Sequence, residues 1–330
     1  MQLRTGWCVG IATVALLAAC GGEREPGAAG GGTIVAGLRT DLGTLNPVTY
    51  GDQYTYEIIN YALFTPLVQY DANLEVKPYL AESWELTGDT GVVFKLRRDV
   101  RWTDGRPVTA EDVKFTYDLA RNPETASLVG SAFIGAVDRG EVVDSFTIRF
   151  HFAHPHAQAL EDFWWAPLPK HLLEKVSPAE LKNAPFNRRP VGSGPFRLVE
   201  WQANQRIVLE PNPNFPEALG GPAAAARIVL RIIPEASTML TELKTGGVHV
   251  DIPLAPDQAS QIERDPNLVL HSFPGRTVYF IGWNNQREPF KSAVVRRALA
   301  LGINRQEIID ALLFGHGAIA TSTVPPWHPL

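Results

Sequence analysis

Apolar and polar residues alternate strictly through Phe146-Thr147-Ile148-Arg149-Phe150-His151-Phe152, which predicts a β-strand with one face buried and one face wet. Short β-branched runs predict further strands at Thr33 to Leu38, Val92 to Arg97, Ile207 to Glu210, Arg227 to Ile233, Val248 to Ile252, Leu268 to Ser272 and Val278 to Trp283. Helical signals lie between them. Thr109-Ala110-Glu111-Asp112 offers a hydroxyl N-cap and an acidic first turn, after which Val113, Tyr117 and Ala120 share one face. Ser177, Pro178 and Glu180 open a second helix, since proline in the first turn gives up no useful donor. Thr238 to Lys244 makes a third, stopped at Gly246. Val294, Val295, Ala298 and Leu299 form one face of a fourth, and Asn304 caps a fifth that carries Ile308, Ile309, Leu312 and Leu313 up to Gly315. The pattern is mixed α/β with no repeat of fixed period.

One apolar stretch does not belong to this pattern. Arg4 precedes the run from Trp7 to Leu17, which has the length of a secretory h-region and is too short to cross a bilayer. It ends in Leu17-Ala18-Ala19-Cys20, followed by Gly21-Gly22, which resembles the bacterial lipobox. The expectation is a signal peptide over residues 1–19, with Cys20 becoming the acylated first residue of the mature chain. Two or more acyl chains make such an anchor stable. Residues 20–32, glycine-rich and without a large apolar side chain, then form a flexible tether. The protein is expected outside the cytoplasm, periplasmic or extracytoplasmic and held at the cell membrane through Cys20.

The formal charge is −5, and cleavage before Cys20 would remove only Arg4 among the charged residues, taking it to −6. That balance argues against a nucleic-acid partner. Cys8 would leave with the signal and Cys20 would carry lipid, so no thiol remains for a disulfide and stability rests on a large core.

Candidate chemistry is sparse. No Gly-x-Ser-x-Gly elbow, His-Glu-x-x-His helix, phosphate loop or dinucleotide fingerprint is present. Gly192-Ser193-Gly194 reads as a tight turn into a strand, and Trp102-Thr103-Asp104-Gly105 as a scaffold turn with Asp104 bonding local backbone. Arg97, Arg98, Asp99 and Arg101 read as a solvated strand end with one Arg–Asp pair rather than an anion clamp. His151, His154 and His156 raise a metal site, but one lies on a strand and the others in a turn, so no metal is expected.

Three blocks carry a family resemblance. The first runs from Pro66-Leu67-Val68-Gln69-Tyr70-Asp71 through Val76-Lys77-Pro78-Tyr79-Leu80-Ala81-Glu82-Ser83-Trp84 and from Phe94 to Val113. The second is Pro190-Val191-Gly192-Ser193-Gly194-Pro195-Phe196-Arg197-Leu198 with Glu210-Pro211-Asn212-Pro213. The third is Pro289-Phe290 with Val295-Arg296-Arg297-Ala298-Leu299-Ala300-Leu301-Gly302-Ile303-Asn304-Arg305. Together they resemble the bacterial extracellular solute-binding proteins of family 5, the oligopeptide- and dipeptide-binding components of ABC importers.

The resemblance implies an α/β, periplasmic-binding-protein-like clamshell of type II in its three-domain form. Lobe I would take residues 33–61 and 186–271, domain II 62–185, and lobe III would start in 272–330. It implies a monomer that binds a peptide or related small solute between lobes I and III, held mainly by main-chain hydrogen bonds, and passes it to permease subunits with no cofactor and no catalysis. By the same resemblance Gly51, Asp52, Gln53 and Tyr54 face the ligand, and Tyr279, Trp283 and Asn284 enter lobe III beside the cleft. For Tyr54, Tyr279 and Trp283, core packing is the competing reading, and Asp52 reads as surface rather than site. The third lobe would be too short to close its own core, so the expectation is a chain cut short at its C-terminal side that binds weakly or not at all by itself. Nickel-, haem- or oligosaccharide-binding members of the family are alternatives. A secreted hydrolase and an envelope protein of structural or chaperone type are alternatives of other classes.

Overall fold

The structure is a computed structural model that describes residues 31–71, 75–157, 159–252, 254–273 and 278–322. The expected signal segment, Cys20 and nearly all of the tether lie outside the described residues. The strands are β1 (Thr33–Leu38), β2 (Val68–Tyr70), β3 (Val76–Pro78), β4 (Ala81–Leu86), β5 (Gly91–Leu96), β6 (Val137–Asp144), β7 (Thr147–Phe152), β8 (Phe196–Gln202), β9 (Arg206–Pro211), β10 (Arg227–Ile232) and β11 (Val250–Asp251). They form three sheets: a five-stranded one in the order β11-β1-β10-β9-β8, a four-stranded one in the order β4-β5-β7-β6, and the β2-β3 hairpin. In the first sheet β1 lies between β10 and β11 and runs parallel to both, while β8, β9 and β10 follow one another antiparallel.

The helices are α1 (Gln53–Glu57), α2 (Ala110–Arg121), α3 (Leu128–Ala132), α4 (Lys170–Leu173), α5 (Ala236–Thr245), α6 (Ala259–Glu263), α7 (Ala293–Leu301) and α8 (Arg305–Leu312). A π-helical turn at Ile58–Leu63 continues α1. No helix among the described residues is long and apolar enough to cross a membrane. The expected capping box opens α2: the Thr109 N–H donates to Asp112 Oδ2 at 2.9 Å, and Val113, Tyr117 and Ala120 are buried. Gly246 ends α5 at φ 78°, a backbone conformation that glycine adopts without strain.

The four-stranded sheet buries Val92, Phe94, Ile148 and Phe150 against α2 and against Phe163, whose ring lies 4.8 Å from Phe94 and 4.7 Å from Phe150. The burial pattern of β7 alternates as its sequence predicts. Two edge strands of this sheet escaped the hydrophobic pattern, namely β4 (AESWEL) and β6 (VDRGEVVD). Edge strands are kept polar because an apolar edge would recruit other chains, so their sequence does not alternate cleanly.

Three expectations need correction. Ser177 and Pro178 open a 3₁₀ turn over Pro178–Asn183, not an α-helix. Neither 268–272 nor 278–283 forms a strand. No neighbouring strand among the described residues satisfies their backbone groups, and the second run is exposed: Tyr279 is 85% exposed and Phe280 76%. β11 is shorter than its run, with only Val250 and Asp251 in register, opposite Ala36 and Gly37 of β1.

Candidate functional site

The parallel strands β1, β10 and β11 end at one edge of the five-stranded sheet, with Leu38 opposite Ile232 and Gly37 opposite Asp251. Clefts at the carboxyl ends of parallel strands are the usual ligand sites of open α/β sheets, because the chain turns away from the sheet there and leaves a crevice. At this edge two of the three, β1 and β11, close on a charge. Arg39 follows β1 directly, and Asp251 is the last residue of β11. Arg39 Nη2 donates to Asp251 Oδ2 at 3.1 Å, with side-chain exposures of 19% and 1%. Asp251 Oδ1 is buried and accepts no hydrogen bond among the described residues. Burial pushes the Asp251 carboxyl above its ordinary value, and the Arg39 guanidinium opposes that shift. Losing one member of such a pair leaves an uncompensated buried charge, a cost of about 3–5 kcal/mol.

Both ends of the pair are held from behind. The two-residue β11 is extended by His249, whose N–H donates to Val35 O at 2.8 Å and whose Nδ1 accepts from Val35 N at 3.1 Å. Ahead of it, Arg231 Nη1 donates to Glu242 Oε2 at 2.7 Å and to Gly247 O at 3.0 Å, fixing the exit from α5. The loop after Arg39 is held by Asp41, whose carboxylate accepts from the Trp201 indole at 2.9 Å and from Asn204 N at 2.9 Å.

Further along, a buried asparagine pair sets the path of Leu45-Asn46-Pro47. Asn46 Nδ2 donates to Asn187 Oδ1 at 2.8 Å, and Leu45 N donates to Asn187 O at 2.8 Å. The chain then reaches Gly51 to Tyr54 at the start of α1. Gly51, Asp52 and Gln53 are exposed. The Asp52 carboxylate caps α1, accepting from Thr55 N at 2.9 Å and Thr55 Oγ1 at 2.6 Å, and Gln53 Nε2 donates to Glu57 Oε1 at 2.9 Å. Tyr54 is half-buried, and burial raises its phenol pKa first. Glu57, Tyr279 and Asp251 add to the rise, while Arg39 opposes it. Tyr54 therefore lies within electrostatic reach of the Arg39–Asp251 pair and, separately, of Tyr279. Trp283 and Asn284 are placed differently. The Trp283 ring stacks on Phe290 at 5.3 Å, and Asn284 Oδ1 accepts from Gln286 N at 3.0 Å within a local turn.

The remaining candidates are structural. Ser193 is buried and its Oγ lies 2.6 Å from Thr65 Oγ1, while a Cβ on Gly192 would fall 2.0 Å from Leu63 O, so this segment is a close chain crossing. Asp104 Oδ1 accepts from Arg106 N at 3.1 Å, and the Arg97 fork clasps Asp99 at 2.8 Å and 3.0 Å at the surface. His156 Nε2 lies 3.0 Å from Asp162 Oδ2, and His151 Nε2 lies 3.9 Å from Glu141 Oε2. Among the described residues no three His, Cys, Asp or Glu side chains gather as metal ligands would.

Arg39 and Asp251 were not singled out by the sequence reading. The signal that could have found them is a charge closing each of two apolar strand runs, Thr33 to Leu38 and Val248 to Val250.

Residues 75–330 match the family described as bacterial extracellular solute-binding proteins, family 5 Middle. The oligopeptide-binding protein AppA of Bacillus subtilis is 30% identical over 318 residues, covering 92% of this chain and 57% of that protein. Its structure in complex with a nonapeptide superposes with a TM-score of 0.80 at 29% identity, over 90% of this chain and 59% of that one. NikZ of Campylobacter jejuni, solved with Ni(L-His), gives a TM-score of 0.76 at 24% identity, covering 88% of this chain and 57% of NikZ. At that identity the likeness bears on the fold alone. This chain thus spans less than two thirds of the length of these relatives, and its fold is the α/β clamshell of the periplasmic binding proteins. The chain belongs to the bacterial extracellular solute-binding proteins, family 5.

Proposed function

We propose that this chain is part of an extracytoplasmic receptor that captures peptides and delivers them to the permease of an ABC importer, without changing them chemically. The observation that carries this reading is the likeness to the B. subtilis oligopeptide-binding protein, whose solved complex holds a nonapeptide. The divisions are lobe I at 33–61 and 186–271, domain II at 62–185 and the start of lobe III at 272–330. The shared sheet of β1 with β8 to β11 supports joining the first two of these segments into one lobe. Peptide would lie along the carboxyl edge of β1 and β11, with Gly51 to Tyr54 on one side and the segment of Tyr279, Trp283 and Asn284 on the other. Closure of the lobes would then desolvate it. Cys20 carries the lipid that holds the receptor at the membrane, as a monomer.

Calorimetry of the chain with a mixed tripeptide library is expected to give saturable heat and a ligand-dependent rise in Tm, with recovered peptides unchanged in mass. Hydrolysed peptides would replace this reading with a secreted hydrolase. Saturable nickel binding without peptide binding would replace it with a metal-complex receptor.

A further inference from the structure

The Arg39–Asp251 pair is more than a clasp between β1 and β11. A clasp would satisfy both carboxylate oxygens, yet among the described residues Asp251 Oδ1 is buried without a partner beside one that is paired at 3.1 Å. A buried acceptor left unmade is costly and calls for something to fill it. Arg39 engages only its Nη2 with protein among the described residues, so its remaining N–H groups are free for an acceptor. The pair stands at the carboxyl edge of the parallel strands, within electrostatic reach of Tyr54.

The charge balance selects what fits. Guanidinium and carboxylate together are neutral, so a ligand ammonium drawn to Asp251 would be repelled by Arg39, and a ligand carboxylate drawn to Arg39 would be repelled by Asp251. A neutral group offering one donor and one acceptor side by side meets neither penalty. We propose that Arg39 and Asp251 form a subsite for the uncharged main chain of one residue of an extended peptide, with Asp251 Oδ1 accepting that residue's N–H and Arg39 donating to its C=O on the same side of the strand. This inference rests on the peptide-receptor reading and assigns specificity within that site: the subsite ignores the charged ends of a peptide and reads the main chain of an internal residue.

The test is calorimetry of the full chain with trialanine at millimolar concentration, with trialanine blocked by acetyl and amide groups, and with blocked analogues N-methylated at one amide at a time. Blocking is expected to leave this contact intact, whereas N-methylation of one particular amide weakens binding about tenfold or more, as loss of a hydrogen bond to a charged group does. In Asp251→Asn, which keeps the side-chain volume but sets an N–H donor against Arg39, that same methylation is expected to cost little further. If every N-methyl analogue binds the unaltered chain as well as its parent does, the subsite is refuted without recourse to any variant. If methylation and Asp251→Asn act independently, it is likewise refuted. If the chain takes up no tripeptide at all, the receptor reading fails together with it. A variant that loses its cooperative thermal transition leaves the methylation series on the unaltered chain to decide.

Discussion

Helices α2 and α7 have similar credentials in the sequence and opposite fates in the structure. Both are amphipathic and both are capped, α2 by its Thr109–Asp112 box and α7 by Ser292, whose Oγ accepts from Val295 N at 3.4 Å. Yet α2 buries Val113, Tyr117 and Leu119, with Tyr117 5.4 Å from Phe150 of the four-stranded sheet, whereas α7 buries no residue and leaves Val294 at 78% and Leu301 at 79% exposure. Next to it, α8 buries Ile309 alone. A hydrophobic stripe therefore specifies a helix without specifying a partner, and stability follows from the partner.

The contrast breaks most sharply at Phe150, which sits among Phe94, Tyr117 and Phe163. Phe150→Ala is expected to cost about 3–5 kcal/mol in urea unfolding; a loss below about 1 kcal/mol would mean that the sheet is not the stable centre. The next effect comes with alkali. Burial pushes the phenols of Tyr50 and Tyr79 up to about 12, while in the unfolded chain they ionise near 10. Their stabilising effect is fully present below pH 10 and is lost as pH rises from 10 toward 12, at about 1.4 kcal/mol per tyrosine per pH unit. Urea titrations at about pH 9 and about pH 11 should show this loss, and Tyr50→Phe with Tyr79→Phe should flatten it. Asn187→Ala removes the partner of buried Asn46 and is expected to cost about 1–3 kcal/mol. Hydrogen exchange should then speed up through the loop that leads to Tyr54. The smallest effect sharpens the comparison from the other side, since Leu301→Ala should move stability by less than about 0.5 kcal/mol. A larger loss would show that α7 is covered in solution.

Much of the fold was legible because local rules set it. The alternation of Phe146 to Phe152, the Thr109–Asp112 box and the stop at Gly246 each depend on neighbours in sequence, and each appears where those rules place it. The run at 278–283 had the composition of a strand, but a strand needs a second strand, and none of the described residues supplies one. The site divides in the same way. Tyr54 was named through the family resemblance alone, and its neighbour Asp52 spends its carboxylate on a helix cap. Arg39 and Asp251 could not be paired from sequence, because nothing local brings residues so far apart in the chain to 3.1 Å.

The placement of β1 between β10 and β11 also sets a timetable. The four-stranded sheet draws on residues 81–152 alone and can assemble as soon as these are made, but Thr33 has no partner before Arg227 exists and Ala36 none on its other side before Val250. At translation rates of about 5–20 residues per second, the amino-terminal strand waits roughly ten to forty seconds with both edges open. During that interval the front of the chain is available to chaperones, proteases or a secretion channel, and the closing of this sheet marks the moment when that availability ends.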